Sequence, residues 1–347
     1  METEAAQFFM TALRLAGRMD TRLNYNTVTK SERLKLTRTF ELDDEDFSVE
    51  SIDASPFFPL FVVSYTSVSN FHRSKIVVWS LNNKLPEKVL NTSTRIKVVQ
   101  FSKTKSNIIY GCGMNGKLVT WDLNSHSSFT LGESMKFRNC HSFPIVGMVQ
   151  DSGKSYTCGI DGVVCFWSLF IDTGGPMGNP IQLVDDTKGE ELSISALTNY
   201  EGDSIVGCEN GDVYRVKLET GKLEKLTSHI KGLVTGLDVD PESATVITAG
   251  LDKTIHQIDL ISKSAQTINQ KTVVMDLKFQ AKGKRQNFVT VDLDGNVMLW
   301  NLKDSLEPLE TIRVEHGLNK VMWFSNENIF LCGGVRGEVH LFELRDM

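Results

Sequence analysis

The sequence predicts an all-β fold, a seven-bladed β-propeller preceded by a short N-terminal amphipathic helix, and three observations predict it. Trp79, Trp121, Trp167, Val216, Ile258, Trp300 and Phe342 are each followed two residues later by a leucine, from Leu81 through to Leu344. Each anchor lies six residues after a turn-like pair: Arg73-Ser74, Asn115-Gly116, Asp161-Gly162, Asn210-Gly211, Asp252-Lys253, Asp294-Gly295 or Arg336-Gly337. The anchors are 42, 46, 49, 42, 42 and 42 residues apart. A period of ~40–45 residues belongs to a unit of four short strands, stacked as blades around a ring.

From the N-terminus, residues 3–23 place Phe8, Ala12, Leu15 and Met19 on one helical face, with Phe9, Leu13 and Ala16 beside it. Such a helix either packs on the ring's flank or offers its apolar face to another chain. Residues 1–30 are thus helix and linker, and 31–347 the propeller. After Leu344 only Arg345, Asp346 and Met347 remain, too few for an outer strand. Leu34–Phe40, in which Leu34, Leu36 and Arg38 alternate with Lys35, Thr37 and Thr39, is expected to fill that vacancy. Closing the ring this way hides an unpaired strand edge. The acidic run Glu41, Asp43, Asp44, Glu45 and Asp46 reads as a solvated loop.

Within a blade, Ile96–Phe101 and residues 107–114 and 117–123 show the period-two alternation of strands. Asn-Gly and Asp-Gly between them predict two-residue type I′ hairpins, in which both central residues take positive φ. The same slots return at 156–169, 204–218, 246–260, 288–302 and 330–344, and outer strands are expected near 129–131 and 309–314.

Composition excludes several classes. Net charge is −6, and the densest basic group, Lys282, Lys284 and Arg285, is small, which argues against nucleic acid. The longest apolar stretch, 56–63, is far below the ~20 residues of a membrane span. A soluble cytoplasmic chain without membrane insertion is expected. Of six cysteines, Cys112, Cys158, Cys208 and Cys332 recur in the strand before the turn, as small hydrophobes. Their spacing and that of the histidines match no metal site, so neither metal nor cofactor is expected. Gly111, Gly113, Gly116 and Lys117 match two nucleotide-binding patterns, but a strand follows where a phosphate loop needs a helix.

Two histidines point to a structural use instead. In WD (WD40) repeats, a histidine before the first strand, a Ser or Thr in the second and the turn aspartate share a buried network with the tryptophan. His141, Thr157, Asp161 and Trp167 fit that order. So do His229, Thr248 and Asp252, with Ile258 in the tryptophan slot. Thr290, Asp294 and Trp300 make a partial set.

The order of distinctive blades resembles the propeller domain of dynein intermediate chains, most like the cytoplasmic type. Residues 75–81 (KIVVWSL), 86–90 (PEKVL), 116–122 (GKLVTWD), 161–169 (DGVVCFWSL) and 318–323 (LNKVMW) carry the resemblance. So does the tryptophan-free fourth blade at 205–214 (IVGCENGDVY). It implies a non-catalytic subunit of a microtubule motor, cytoplasmic and cytoskeletal, whose propeller binds the heavy-chain tail and supports motor assembly and cargo attachment. Light-chain and dynactin sites are expected in an N-terminal segment that this sequence lacks, as a truncated chain or a short homologue would.

Propellers bind through loops that the strands hold rigid. The enlarged loop 67–74 carries Phe71, His72 and Arg73, and the loop before blade 3 carries Phe137, Arg138 and Phe143. With Lys231 before blade 5, these aromatic and cationic residues are candidate partner anchors. A competing reading is a WD-repeat scaffold or substrate receptor of a ubiquitin ligase. The best-known receptors carry W-D-x-R, whereas Trp121-Asp122-Leu123 is followed by Asn124. A propeller hydrolase would need converging acids, bases or metal ligands, and the periodicity shows none.

Overall fold

Seven four-stranded antiparallel sheets make up the computed structural model. It describes residues 33–345 apart from 43–45, 71–72, 126–131, 134–140, 152–153, 169–178, 186–188, 218–219, 230–231, 281–285, 302, 304 and 325–327. The expected helix and linker of residues 1–30 lie outside the described residues, and no helix occurs among those described.

Blade 1 runs outward through Phe47–Ala54, Leu60–Ser67, Ser74–Ser80 and Pro86–Leu90, and blade 5 through Val234–Asp240, Thr245–Gly250, Thr254–Asp259 and Ala265–Asn269. In blade 2 the outer strand is Gly132–Glu133, just past the stretch expected for it. Each inner strand packs on the next blade's inner strand, and that of blade 7 returns to blade 1. Between blades 1 and 2 the offset is constant: Val99 N–H donates to Ser51 Oγ and Phe101 N–H to Asp53 Oδ2. Adjacent inner strands therefore run parallel. Their N-terminal ends gather at one mouth, here the upper, of a central channel of about 1510 Å³.

The seven anchors explain the period. None is more than 2% exposed, and each fills the seam with the preceding blade. Trp121 packs on Val62, Ile76 and Val78 of blade 1, and Trp167 on Ile108 and Tyr110 of blade 2. Seven seams need seven bulky side chains, each worth roughly 1.5–3 kcal/mol of burial.

The last sheet joins Leu318–Trp323, Ile329–Gly334 and Val339–Leu344 to Leu34–Phe40. Leu34 pairs with Leu344 and Phe40 with Val339, but the register slips between Leu36 and Arg38. This bulge breaks the simple alternation expected of the strand and re-aims its second half. Leu34 consequently packs with Val289 and Leu299 of blade 6, while Phe40 packs with Phe61 and Trp79 of blade 1. One strand thus serves both neighbours, and Leu36 at the bulge is left 43% exposed.

The hairpin turns are not type I′. Gly116 has φ +76° and Gly162 φ +71°, but the Asn or Asp before each does not share the positive φ. Gly116 N–H donates to Gly113 O at 3.1 Å, and Gly113 N–H donates to Lys117 O at 2.8 Å. This is a three-residue loop, a type I turn followed by one left-handed residue. Asn115 Oδ1 then accepts from Lys117 N–H, and Asp161 Oδ1 from Val163 N–H. The carboxylate or amide caps the turn, which is why Asn and Asp occupy it.

Candidate partner-binding face

Loops between second and third strands, and loops entering each blade, lie at the upper mouth. Here the blade 2 turn seats on the segment entering blade 3: a Cβ on Gly116 would stand 2.5 Å from the His141 carbonyl oxygen. Phe143, in that segment, is 51% exposed. Arg73 is exposed too, with its guanidinium 5.1 Å from the centre of the buried Phe47 ring, which Lys75 Nζ also approaches at 4.4 Å. Such contacts hold a cation over an aromatic face. Phe71, His72, Phe137, Arg138 and Lys231 lie outside the described residues.

Behind these loops, hydrogen-bonded networks fix the turns. In blade 3 His141 Nε2 lies 2.8 Å from Thr157 Oγ1, which accepts from Trp167 Nε1 at 2.8 Å; His141 Nδ1 lies 3.2 Å from Asp161 Oδ1. With the tryptophan donating, the Thr157 hydroxyl donates to His141, whose Nδ1–H is then free to donate to Asp161. Burial works against the Asp161 anion, but His141 and the Ser142 and Val163 amides outweigh it and hold its carboxyl below the usual range. In blade 5 His229 meets Thr248 Oγ1 at 2.9 Å and Asp252 Oδ1 at 3.1 Å, while Ile258 donates nothing.

Blade 6 departs from the expected set. Trp300 Nε1 does donate to Thr290 Oγ1, at 3.0 Å, but the carboxylate that caps the turn is Asp292, not Asp294. Asp292 Oδ1 accepts from Asp294 N–H at 3.0 Å and Asn296 N–H at 2.8 Å. In blades 2 and 3 the corresponding strand end is a glycine, and a Cβ on Gly113 or Gly159 would stand 2.5 Å from the capping oxygen. Asp292 fills that space with its own side chain. Asp294 therefore serves through its main-chain oxygen, which accepts from Arg313 Nε at 3.1 Å.

Two clusters escape the sequence patterns. In blade 4 Asp212 gathers Tyr214 Oη at 2.9 Å, Ser228 Oγ at 2.6 Å and Lys225 Nζ at 2.7 Å, standing in for the absent histidine and tryptophan. In blade 5 His229, Asp252 and His256 converge, although the histidines are 27 residues apart in sequence. Thr254 Oγ1 sits among them, 2.9, 2.7 and 3.2 Å from His229 Nδ1, Asp252 Oδ1 and His256 Nε2. The three side chains that could ligate a cation are thus already hydrogen-bonded to one hydroxyl. Burial pushes the His256 imidazole down to about 4, with His229 stacked 4.1 Å away adding to the effect. Cys112, Cys158, Cys165, Cys208 and Cys332 are buried and form no disulfide among the described residues; burial raises the Cys208 thiol to about 12.

At the upper mouth Glu50 is 9% exposed and shared between Arg95 Nη2, at 2.8 Å, and Lys97 Nζ. Burial opposes its ionisation, but the two cations hold its carboxyl down at about 2. Lys320 Nζ lies 3.8 Å from Asp276, which accepts from Val321 N–H at 3.2 Å. At the lower mouth Lys278 pairs with Asp238 at 3.2 Å.

Residues 221–259 match the WD domain, G-beta repeat family, spanning the outer strand of blade 4 and the first three strands of blade 5. Over 349 aligned positions the chain is 25% identical to cytoplasmic dynein 1 intermediate chain of Drosophila melanogaster. That alignment takes in 90% of this chain and 51% of the relative, so the chain spans about half of that protein's length. The similarity to dynein intermediate chains noted in the blade order therefore extends over nearly the whole propeller.

Proposed function

We propose that this chain is a non-catalytic intermediate-chain subunit of a dynein microtubule motor, working in the cytoplasm, with a propeller that holds the heavy-chain tail. The observation that carries this reading is the reach of the similarity: it runs through 90% of the chain, including blade 4, which replaces the common tryptophan network with Asp212. The chemistry of the ring supports a holding role. His141 and His229, with the turn carboxylates of Asp161, Asp252 and Asp292, are engaged in capping turns and bridging strands, an arrangement that stiffens loops for binding.

Arg73 and Phe143 on the upper face, with Phe71, His72, Phe137, Arg138 and Lys231, are the proposed partner contacts. Affinity purification of the tagged chain from cells, followed by mass spectrometry, tests the assignment. Recovery of a dynein heavy chain in near-equal amount is expected; a ligase adaptor in its place would reject it. Substituting Phe143 and Arg73 together is expected to weaken that recovery with the melting temperature unchanged.

A further inference from the structure

We infer that the upper mouth of the channel accepts a carboxylate from an acidic segment of the partner polypeptide, seated against Arg95, Lys97 and Lys320. This deepens the proposed function and rests on its reading of the upper face as the partner-binding one.

Five charged side chains from four blades meet on one side of this mouth. Glu50 comes from blade 1, Arg95 and Lys97 from blade 2, Asp276 from blade 6 and Lys320 from blade 7. Three cations face two carboxylates, leaving one positive charge in excess. Glu50 is occupied by both Arg95 and Lys97. Lys320 is held only at 3.8 Å from Asp276 and its side chain is 34% exposed; that of Lys97 is 25% exposed. Burial, together with the nearby Arg95 and Lys320 charges, pulls the Lys97 ammonium below its usual range even with Glu50 beside it. An added anion would relieve that crowding.

The rest of the ring sharpens the placement. Ser195 Oγ donates to Val234 O at 2.8 Å and Thr235 Oγ1 to Val274 O at 2.6 Å, so these hydroxyls are committed to the seams between blades. Glu209 lines the far side and repels an anion from there. The lower part of the channel carries the opposite bias, with Asp238, Asp240 and Glu242 against Lys103 and Lys278. An acidic segment is therefore attracted to the upper mouth. A single carboxylate matches the single surplus charge, whereas a phosphate dianion would overshoot it, and Glu50 already shows that these cations accept carboxylate geometry. Phe143, 51% exposed, also lines the channel and adds an apolar edge to it.

The test uses the full chain and a fluorescein-labelled hexaglutamate peptide, followed by anisotropy at low salt, with hexaglutamine as the neutral probe. Lys320→Glu is compared with Lys222→Glu, an exposed position on the outer strand of blade 4 that changes net charge equally. Melting temperatures confirm that both variants fold, and Lys320→Arg is expected to bind as the parent does. Lys320→Glu should weaken hexaglutamate binding by about tenfold or more, and Lys222→Glu by less than about twofold. Equal losses in the two variants, or equal binding of hexaglutamine, overturn the inference. The same variants are then purified from cells. Loss of heavy chain from Lys320→Glu alone supports the site; heavy chain retained by Lys320→Glu overturns it and leaves the proposed function standing. Heavy chain missing from the parent chain overturns the proposed function, and with it the partner named here.

Discussion

Phe40 meets Trp79 edge to face, with ring centroids 5.6 Å apart and planes at 60°. The pair joins the outer strand of the last blade to the third strand of the first, and Phe61 packs on Phe40 at 4.9 Å. Phe40→Ala is therefore expected to cost about 3–5 kcal/mol, through lost burial and a cavity in the closing seam. Leu36→Ala, in the same strand but 43% exposed, should cost less than about 1 kcal/mol. Urea unfolding of both variants checks this; equal, small losses would mean that the strand does not hold the ring shut.

Thr157 and Thr248 occupy the same place in two blades and carry different loads. Thr157 links Trp167 to His141, whereas Thr248 serves His229 with Ile258 in the tryptophan slot. Thr157→Val leaves two buried groups without a partner, and Thr248→Val leaves one. Each unsatisfied group costs about 1–3 kcal/mol, so the blade 3 substitution should be the worse by at least about 1 kcal/mol. Identical midpoints on denaturation would refute the shared network.

The ring and its closure were legible because each seam repeats one demand, a bulky anchor at a fixed distance from a turn, and seven residues from Trp79 to Phe342 meet it. The turn type was not, because Asn-Gly suits both a type I′ loop and a type I turn followed by a left-handed glycine. The choice between Asp292 and Asp294 depends on whether the strand end is a glycine, a steric detail invisible in a motif. The charged mouth was hidden for another reason. Glu50, Arg95, Asp276 and Lys320 are up to 270 residues apart and meet only because closure of the ring sets blades 6 and 7 beside blades 1 and 2 around one channel.

Lys253 tests the turn geometry. It takes φ +62° where five other turns place glycine, and a side chain in the left-handed region costs about 1–2 kcal/mol. Lys253→Gly should therefore stabilise the protein by about 0.5–1 kcal/mol after the greater freedom of glycine in the unfolded chain is subtracted. Gly116→Ala should do the reverse and more, since its Cβ would press on the His141 carbonyl as well. Thermal unfolding decides, and a destabilised Lys253→Gly would count against the turn assignment.

Asp53 gives the fold a pH signature. Burial in the channel wall pushes its carboxyl up to about 7, against the hydrogen bond from Phe101 N–H and the nearby Lys103. A folded-state value above the unfolded one, 3.8, means that this group's stabilisation is complete below about pH 4. It is lost as pH rises towards 7, with a slope approaching about 1.4 kcal/mol per pH unit. Glu50 acts in the opposite sense, because its depressed value near 2 gives stability present above 4.5 and lost only on further acidification. Between pH 4.5 and 7 the Asp53 effect therefore stands apart from that of Glu50. Asp53→Asn keeps an oxygen for Phe101 N–H and removes the titration. Its stability should decline less than the parent's across that interval and exceed it at pH 8, as read from urea midpoints; parallel curves would show that Asp53 is already ionised at no cost in the folded ring.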